Sequence, residues 1–232
     1  MSPEKQYYSE QPTFHVAVDC IIFGFEQGEL KLLIHKRRFE PDMGQWSLFG
    51  GFVQKNEGLD EAANRVLFEL TGLDDIYMEE VQSYGAIGRD SAARVISVAY
   101  YALIPAKKYS EATSNHHGAT WVSLKQLPDL IMDHNQMVKK GLRRLKRRAS
   151  TQPLGFELLP REFTMPQLQA LYEAIYQSSL DKRNFRKKIL SMNVLIKLEE
   201  KDMSGSRKGA YLYRFDQLKY KKLVDGGDLF TV

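Results

Sequence analysis

The stretch Gly50–Leu73 carries carboxylates that could hold a divalent metal ion. Activation of water by Mg²⁺ or Mn²⁺ requires several hard oxygen ligands that converge from one helix face. Helical positions 66, 69 and 70 share a face, but they are occupied by Val66, Glu69 and Leu70, so one carboxylate remains. The sequence therefore predicts no metal site on this helix, and we expect no cofactor.

The same stretch resembles the Nudix box, whose pattern is Gly, five residues, Glu, seven residues, then Arg-Glu-aliphatic-x-Glu-Glu-x-Gly-aliphatic. The residues on matching positions are Gly51, Glu57, Arg65, Leu67, Glu69, Gly72 and Leu73. Val66 and Leu70 replace two of the glutamates that hold the metal in Nudix hydrolases. The resemblance implies a Nudix-like fold, with a loop leading into a helix that ends at Gly72, and loss of the hydrolytic chemistry.

Glu61, Arg65 and Glu69 are spaced four residues apart, which predicts an exposed ladder of ion pairs worth about 0.3–0.5 kcal/mol each. The alternative is an enzyme, a Nudix hydrolase with displaced metal ligands. Its carboxylates would be Glu57, Glu69 and one from elsewhere in the chain, such as Glu79 or Glu80.

Composition limits the class of protein. The 232 residues suffice for two ordinary domains, and the sequence contains neither an apolar run of membrane-spanning length nor a cleavable leader, so we expect a cytoplasmic protein. Cys20 is the single cysteine, which excludes an intrachain disulfide. Because it lies in the apolar run Val16–Phe25, we expect a buried, unreactive thiol.

The net charge of +4 is unevenly distributed. From Thr151 onward the chain has fourteen Lys/Arg and ten Asp/Glu, and subtraction from 33 and 29 leaves nineteen of each before it. The surplus therefore lies entirely in the C-terminal part, which is compatible with a polyanionic partner.

Strand and helix patterns position the first motif. Strands are predicted at Phe14–Phe25, Leu30–His35, Glu80–Gly88, Val95–Pro105 and Ala119–Val122, and a helix at Asp133–Ala149. Apolar residues on both faces of Val95–Pro105 favour a central strand. The fold class is α/β (α+β): a Nudix-like mixed-sheet α/β/α sandwich over residues 1–150, and a second domain over residues 151–232.

The second domain has the order of a winged helix-turn-helix. Thr164 and Gln167 form a capping-box pattern at the start of one helix, and Asp181 is a candidate N-cap for the next. Two strands follow, Val194–Glu199 and Ala210–Phe215, joined by a loop with Gly, Lys and Arg. Exposed Arg, Asn and Lys side chains on a second helix are the types that read bases and bind phosphates. The candidate DNA-binding residues are Arg183, Asn184, Arg186, Lys187, Ser206, Arg207, Lys208 and Tyr211.

A Nudix-like domain without metal ligands, followed by LDKRNFRKKIL and SRKGAYLYRF at the recognition-helix and wing positions, resembles the NrtR/AraR group of bacterial transcriptional regulators. The resemblance implies a homodimer that binds a palindromic operator in double-stranded DNA, and a Nudix-like domain that senses an effector. One branch responds to ADP-ribose and controls NAD metabolism; the other responds to sugars, with L-arabinose as representative.

The replacement of carboxylates by Val66 and Leu70 and the presence of aromatic residues favour the sugar branch, and we expect L-arabinose as the effector of a repressor or activator of sugar-utilisation genes. Lys36, Arg38 and Arg89 could bind phosphate, which keeps ADP-ribose as the alternative. The candidate ligand-binding residues are Trp46, Phe49, Phe52, Lys36, Arg38, Glu57, Tyr84, Arg89 and Asp19.

Overall fold

The structure is a computed structural model that describes residues 9–72, 76–106, 118–204, 207–227 and 230. Its strands are β1 His15–Glu26, β2 Glu29–Lys36, β3 Trp46–Ser47, β4 Phe49–Phe52, β5 Met78–Tyr84, β6 Val95–Pro105, β7 Ala119–Ser123, β8 Phe163–Thr164, β9 Leu195–Asp202 and β10 Ala210–Phe215. Its helices are α1 Leu59–Thr71, α2 His134–Thr151, α3 Met165–Tyr176, α4 Lys182–Ser191 and α5 Gln217–Asp225, with 3₁₀ turns at Leu124–Gln126 and Phe156–Leu158. Among these residues, no helix has the length and apolar character needed to cross a bilayer.

The larger sheet is mixed and is built around β1. This strand pairs in parallel with β6, and it pairs antiparallel with β4 through its first half and with β2 through its second half. Strand β6 also pairs with β5, so the prediction that Val95–Pro105 is central is confirmed. Strands β3 and β7 complete the sheet by pairing with β2.

Both faces of β1 are buried, which explains its nearly continuous apolar sequence. Cys20 and Ile22 pack on one face with residues of α1, whereas Ile21 and Phe23 pack on the other with residues of α2. Each fully buried side chain of this size contributes about 1.5–3 kcal/mol. The α/β/α sandwich predicted from the sequence is therefore present.

Local signals at the ends of α1 and α3 are formed as predicted. Gly72 has φ of 67° and closes α1, a left-handed conformation in which a glycine carries no Cβ penalty. At the start of α3, the Gln167 N–H donates to Thr164 Oγ1, and the Thr164 N–H donates to Gln167 Oε1 at 2.7 Å. Asp181 caps α4 by accepting a hydrogen bond from the Asn184 N–H at 2.8 Å.

Helices α3 and α4 and the sheet β8-β10-β9 form the winged helix. Its core contains Tyr172, Phe185, Ile189 and Tyr213. The core is continuous with that of the sandwich, because α3 packs against both β2 and α2. A displacement of α2 is therefore able to reach the winged helix through direct contact.

Several features differ from the sequence expectation. The strand expected at Glu80–Gly88 lies at Met78–Tyr84, because its pairing with β6 covers these residues. Residues 46–52, for which no strand was predicted, form the short strands β3 and β4, which pair with β2 and β1, respectively. The strand expected to end at Glu199 continues to Asp202 because β10 provides its hydrogen-bonding partner. Helix α5 was not predicted, although Asp216 caps it by accepting from the Leu218 and Lys219 N–H groups.

Candidate functional site

Arg65 binds the two carboxylates considered as metal ligands. Its Nη2 lies 2.7 Å from Glu57 Oε1, and its Nη1 lies 3.3 Å from Glu69 Oε2. Hydrogen bonds from Arg65 lower the pKa of Glu57 to about 2. Val66 is buried in the core, and no three His, Cys, Asp or Glu of the described residues form a possible metal site. These residues do not fit a divalent ion, and the side chain of Leu70 lies outside the described part of the chain.

The expected ion-pair ladder is only partly formed. Arg65 pairs with Glu69, but Glu61 Oε2 accepts a hydrogen bond from the Gly58 N–H at 2.7 Å instead of pairing with Arg65. The first amides of a helix lack partners within the helix, and Glu61 satisfies one of them. Glu57, which precedes the helix, takes the place of Glu61 beside Arg65.

A cavity of about 130 Å³ lies where β1, β2 and β4 meet the start of α2. Its lining residues are Ala17, Asp19, His35, Arg37, Phe39, Ser47, Leu48, Gly50, Gly51, Phe52, Arg89, Asp90, Val95, Met132 and His134. Gly50 permits this arrangement, because a Cβ at its position would overlap the carboxylate of Asp19. Strands β1 and β4 can thus pair while Asp19 projects between them.

Buried charges are concentrated in the wall of this cavity. Arg89 donates to Asp133 twice, from Nη2 to Oδ1 at 2.7 Å and from Nε to Oδ2 at 3.0 Å. Its Nη2 also lies 3.5 Å from Asp19 Oδ2, which accepts a hydrogen bond from Ser97 Oγ at 2.5 Å. Burial disfavours the charged guanidinium, but the hydrogen bonds to Asp133 and the charge of Asp19 outweigh it and raise the pKa of Arg89.

Two histidines flank the backbone of Leu48. His134 Nδ1 accepts a hydrogen bond from the Leu48 N–H at 3.1 Å, so the neutral ring carries its proton on Nε2, which lies 3.6 Å from Asp19 Oδ1. The Leu48 carbonyl lies 3.2 Å from His35 Nε2. Burial lowers the pKa of both rings. The wall therefore offers neutral imidazoles at physiological pH.

Exposed aromatic rings and one arginine with no ion-pair partner among the described residues lie at the mouth of the cavity. Phe39 and Phe52 are 59% and 56% exposed. The Arg37 guanidinium lies 4.1 Å from the centre of the Phe39 ring, and its Nε donates to the Phe39 carbonyl. Exposed rings can stack on a planar group, and an arginine without a carboxylate partner can bind a phosphate.

The structure brings three of the nine sequence-predicted ligand residues to this cavity: Asp19, Phe52 and Arg89. Phe49 stacks on His35 within the core, and Tyr84 is also buried there. The carboxylate of Glu57 forms an ion pair with Arg65. Trp46 is partly buried, with the ammonium of Lys36 above its ring, and Arg38 is exposed.

Strand alternation explains why other cavity residues were missed. Successive side chains of a strand point to opposite faces. At the end of β2, Lys36 and Arg38 were predicted to bind the ligand, but His35 and Arg37 are the residues that line the cavity. The alternation would have identified His35 and Arg37 once the buried face of β2 was known. Asp133 and His134 carried no such signal, because their partners are distant in sequence.

A larger cavity, of about 340 Å³, lies between the sandwich and the winged helix and includes Tyr77, Tyr101 and Arg148 in its wall. Its arginine already forms an ion pair, because Arg148 Nη1 lies 2.9 Å from Glu79 Oε2. The smaller cavity combines buried charge, aromatic rings and Arg37, which has no ion-pair partner in the part of the chain that the structure describes, and it is therefore the stronger candidate for a ligand site.

The solvent face of α4 forms the candidate nucleic-acid interface. Phe185 and Ile189 are buried in the winged-helix core. The side chains on the opposite, exposed face include Arg183, Asn184, Arg186 and Lys187. Arg207 and Lys208 are exposed at the turn between β9 and β10, whereas Ser206 lies outside the described residues. This distribution places donors for bases and phosphates on one helix and one hairpin.

Comparison with known proteins follows the same division of the chain. Residues 13–144 match the NUDIX domain family, and residues 155–215 match the family described as the NrtR DNA-binding winged helix domain. The chain is 34% identical over 211 residues, 89% of its length and 84% of the relative's, to the ADPR responsive transcriptional repressor NtrR of Acinetobacter baylyi. It is 32% identical over 128 residues, 55% of its length and 73% of the relative's, to an ADP-ribose pyrophosphatase of Methanocaldococcus jannaschii.

Two solved structures of Shewanella oneidensis NrtR are also similar. The complex with a 27mer DNA has 26% identity and a TM-score of 0.75, with 89% of this chain and 95% of that chain covered. The NUDIX domain in complex with ADP ribose has 27% identity and a TM-score of 0.53, with 61% of this chain and 94% of that chain covered.

Proposed function

The chain belongs to the NrtR family, in which a Nudix domain is joined to a DNA-binding winged helix, and on this premise we propose that it is a transcriptional repressor regulated by ADP-ribose. The observation that carries the proposal is the face of α4. It exposes Arg183, Asn184 and Lys187 while Phe185 and Ile189 anchor the helix. A recognition helix requires this division, since its polar face enters the major groove while its apolar face holds the domain.

The effector we propose is ADP-ribose. The Acinetobacter relative is named for its response to ADPR, and the NUDIX domain of the Shewanella protein was solved with ADP ribose. The expectation of L-arabinose and of the sugar-responsive branch is not supported, and it is withdrawn. The cavity mouth suits the proposal, because Arg37 is available for a phosphate and Phe39 and Phe52 are available for stacking on a base.

We further propose that the Nudix domain binds ADP-ribose without hydrolysing it. Val66 provides no ligand, and Arg65 is paired with both Glu57 and Glu69. The carboxylate of Glu79, one of the two further ligands considered for the alternative enzyme, is paired with Arg148 at 2.9 Å. A divalent ion would have to displace these arginines before it could activate water.

Helix α2 provides a route from the effector to the DNA-binding domain. Its first residue, His134, lies in the cavity wall, and the helix spans about 27 Å before its other end reaches the winged helix. A ligand that moves His134 or Asp133 therefore acts on an element that packs directly against α3. In a homodimer on a palindromic operator, such a shift would change the spacing of the two recognition helices and weaken binding.

A gel-shift experiment tests the proposal. The protein is titrated onto DNA from upstream of its own and neighbouring genes, with ADP-ribose added in one series and L-arabinose in a control series. We expect a retarded complex that ADP-ribose alone releases. Release by L-arabinose alone would contradict the proposed effector, and absence of any complex would contradict DNA binding.

Two variants separate the sites. Arg183→Ala should weaken operator binding and leave ADP-ribose affinity unchanged, because α4 does not contribute to the cavity. Arg37→Gln should weaken ADP-ribose binding and leave operator affinity unchanged. Loss of both activities in either variant, with the protein folded, would indicate that the assignment of the sites is wrong.

A hydrolysis assay addresses the enzyme alternative. ADP-ribose is incubated with the protein and Mg²⁺ or Mn²⁺, and release of AMP is measured. We expect no turnover above that of a Glu69→Gln variant. Rapid turnover that this substitution abolishes would restore the hydrolase interpretation.

A further inference from the structure

One face of the winged-helix hairpin carries two tyrosines in line. Tyr211 and Tyr213 are two residues apart on β10 and therefore point to the same side of the strand. Their partners on β9 are Lys201 and Lys197, respectively. The register shifts between the two pairs, so that Lys197 and Lys201, four residues apart on β9, are opposite residues that are two apart on β10. This irregularity brings both lysines close to one ring.

Tyr211 holds the two lysines beside its ring. The Nζ of Lys197 lies 3.7 Å from the ring centre, and the Nζ of Lys201 lies 4.5 Å from it. Glu199 and Glu200 lie between the lysines in sequence, yet no ion pair joins either lysine to a carboxylate within the part of the chain that the structure describes. The ring attracts the ammonium groups without neutralising their charge.

Tyr213 connects this face to α4. Its side chain is buried, and its hydroxyl accepts a hydrogen bond from Arg186 Nη2 at 3.0 Å. The guanidinium of Arg186 remains on the exposed face of the helix. Three cations, Arg186, Lys197 and Lys201, are therefore held by two tyrosines along a surface that runs from α4 onto the hairpin.

We propose that this surface is a phosphodiester-binding site, in which Lys197 and Lys201, positioned by Tyr211, hold the DNA backbone beside the groove that α4 enters. The inference rests on the proposed DNA-binding function. It places backbone contacts on the face of the hairpin, in addition to the turn with Arg207 and Lys208. Tyr213 acts as a positioning residue that directs Arg186 toward the same backbone.

DNA is the partner that fits these groups. The ammonium groups of Lys197 and Lys201, which have no carboxylate partner among the described residues, complement the evenly spaced charges of a phosphodiester chain. Contacts to phosphates fix the register of a protein on the duplex but carry no sequence information. The surface should therefore contribute affinity and salt dependence, while α4 contributes specificity.

The test measures operator affinity as a function of salt for the full-length protein. The double variant Lys197→Gln/Lys201→Gln should reduce the slope of log K against log salt by about 1.8, since each lost phosphate contact removes about 0.9. At 0.15 M salt this corresponds to a loss of affinity of about tenfold to thirtyfold. The ratio of operator to non-operator affinity should remain that of the wild type.

Matched variants isolate the role of position. Lys221→Gln/Lys222→Gln removes the same charge from α5, away from the hairpin face, and should reduce the slope much less. Tyr211→Leu, which removes the ring beside the two ammonium groups, should lose more affinity than Tyr211→Phe, which keeps it. Circular dichroism confirms that each variant is folded.

The outcomes distinguish the two proposals. An unchanged slope in the Lys197→Gln/Lys201→Gln variant, with normal binding by the wild type, would overturn the phosphate site alone. An equal loss in the α5 variant would overturn it as well, because net charge would then account for the effect. Failure of the wild type to bind operator DNA would overturn the proposed function and this inference together.

Discussion

Replacement of Arg89 by Met should destabilise the protein by about 3–5 kcal/mol. The Arg89 side chain is only 4% exposed, and the carboxylates of Asp133 and Asp19 beside it are 13% and 11% exposed. Removing one partner of a buried ion pair costs about 3–5 kcal/mol because the remaining charge is left unpaired. The two charge-assisted hydrogen bonds to Asp133, at about 1.5–3 kcal/mol each, give a similar value.

Urea unfolding followed by tryptophan fluorescence measures this effect. Trp46 lies in β3 and Trp121 in β7, so both probes report on the sheet that contains the network. Arg89→Lys keeps the charge but not the planar fork, and should lose less stability than Arg89→Met. Arg89→Met/Asp133→Leu removes both partners and should recover part of the loss.

Two outcomes of the urea measurements would contradict the predicted cost of Arg89→Met. If the free energy of unfolding of Arg89→Met falls by less than about 1 kcal/mol, with the same dependence on urea as the wild type, the charges of the network are not buried from water. If the double variant is no more stable than Arg89→Met, the cost does not come from an unpaired Asp133.

Three further predictions concern single side chains. Because the folded pKa of Glu57 is about 2, below its ordinary 4.5, its ion pair with Arg65 contributes stability above about pH 4.5, and this stability is lost as pH falls toward 2. In the Glu57→Gln variant, the urea concentration at the unfolding midpoint should depend less on pH over this range. The same loss of stability in acid for the variant and the wild type would contradict the pair. Thr164→Ala should lose about 1 kcal/mol with the α3 cap, as measured by urea unfolding, whereas Thr164→Ser should retain it. Burial raises the pKa of Cys20, so a thiol reagent should label it only on unfolding; rapid labelling of the native protein would contradict its burial.

Local patterns in the sequence predicted much of the fold. Continuous apolar runs predicted β1 and β6, and the capping residues Thr164 and Asp181 predicted the starts of α3 and α4. Such signals involve residues within a few positions of each other, so their interactions do not depend on the rest of the chain. The short strands β3 and β4 lacked such a signal, because pairing with distant strands stabilises them.

The candidate site was less predictable. Asp19 and Arg89 were selected from the sequence, but their partner Asp133 is 44 residues from Arg89 and was not. At the end of β2, the choice between Arg37 and Arg38 depended on which face of the strand is buried. On the hairpin, the sequence indicated Tyr211, but the register shift that places Lys197 and Lys201 beside its ring required the paired strands.

By itself, the sequence determined the chemistry that the chain can offer: Val66 cannot bind a metal, and α4 must expose its cations if Phe185 and Ile189 are buried. Only the tertiary structure decided how charges are used. It assigned Arg65 to Glu57 and Glu69, enclosed Arg89 between Asp133 and Asp19, and left Arg37, Lys197 and Lys201 without carboxylate partners among the described residues. The physical reason is that Coulomb attraction and hydrogen bonding act over a few ångströms of space, and distance along the chain does not fix distance in space.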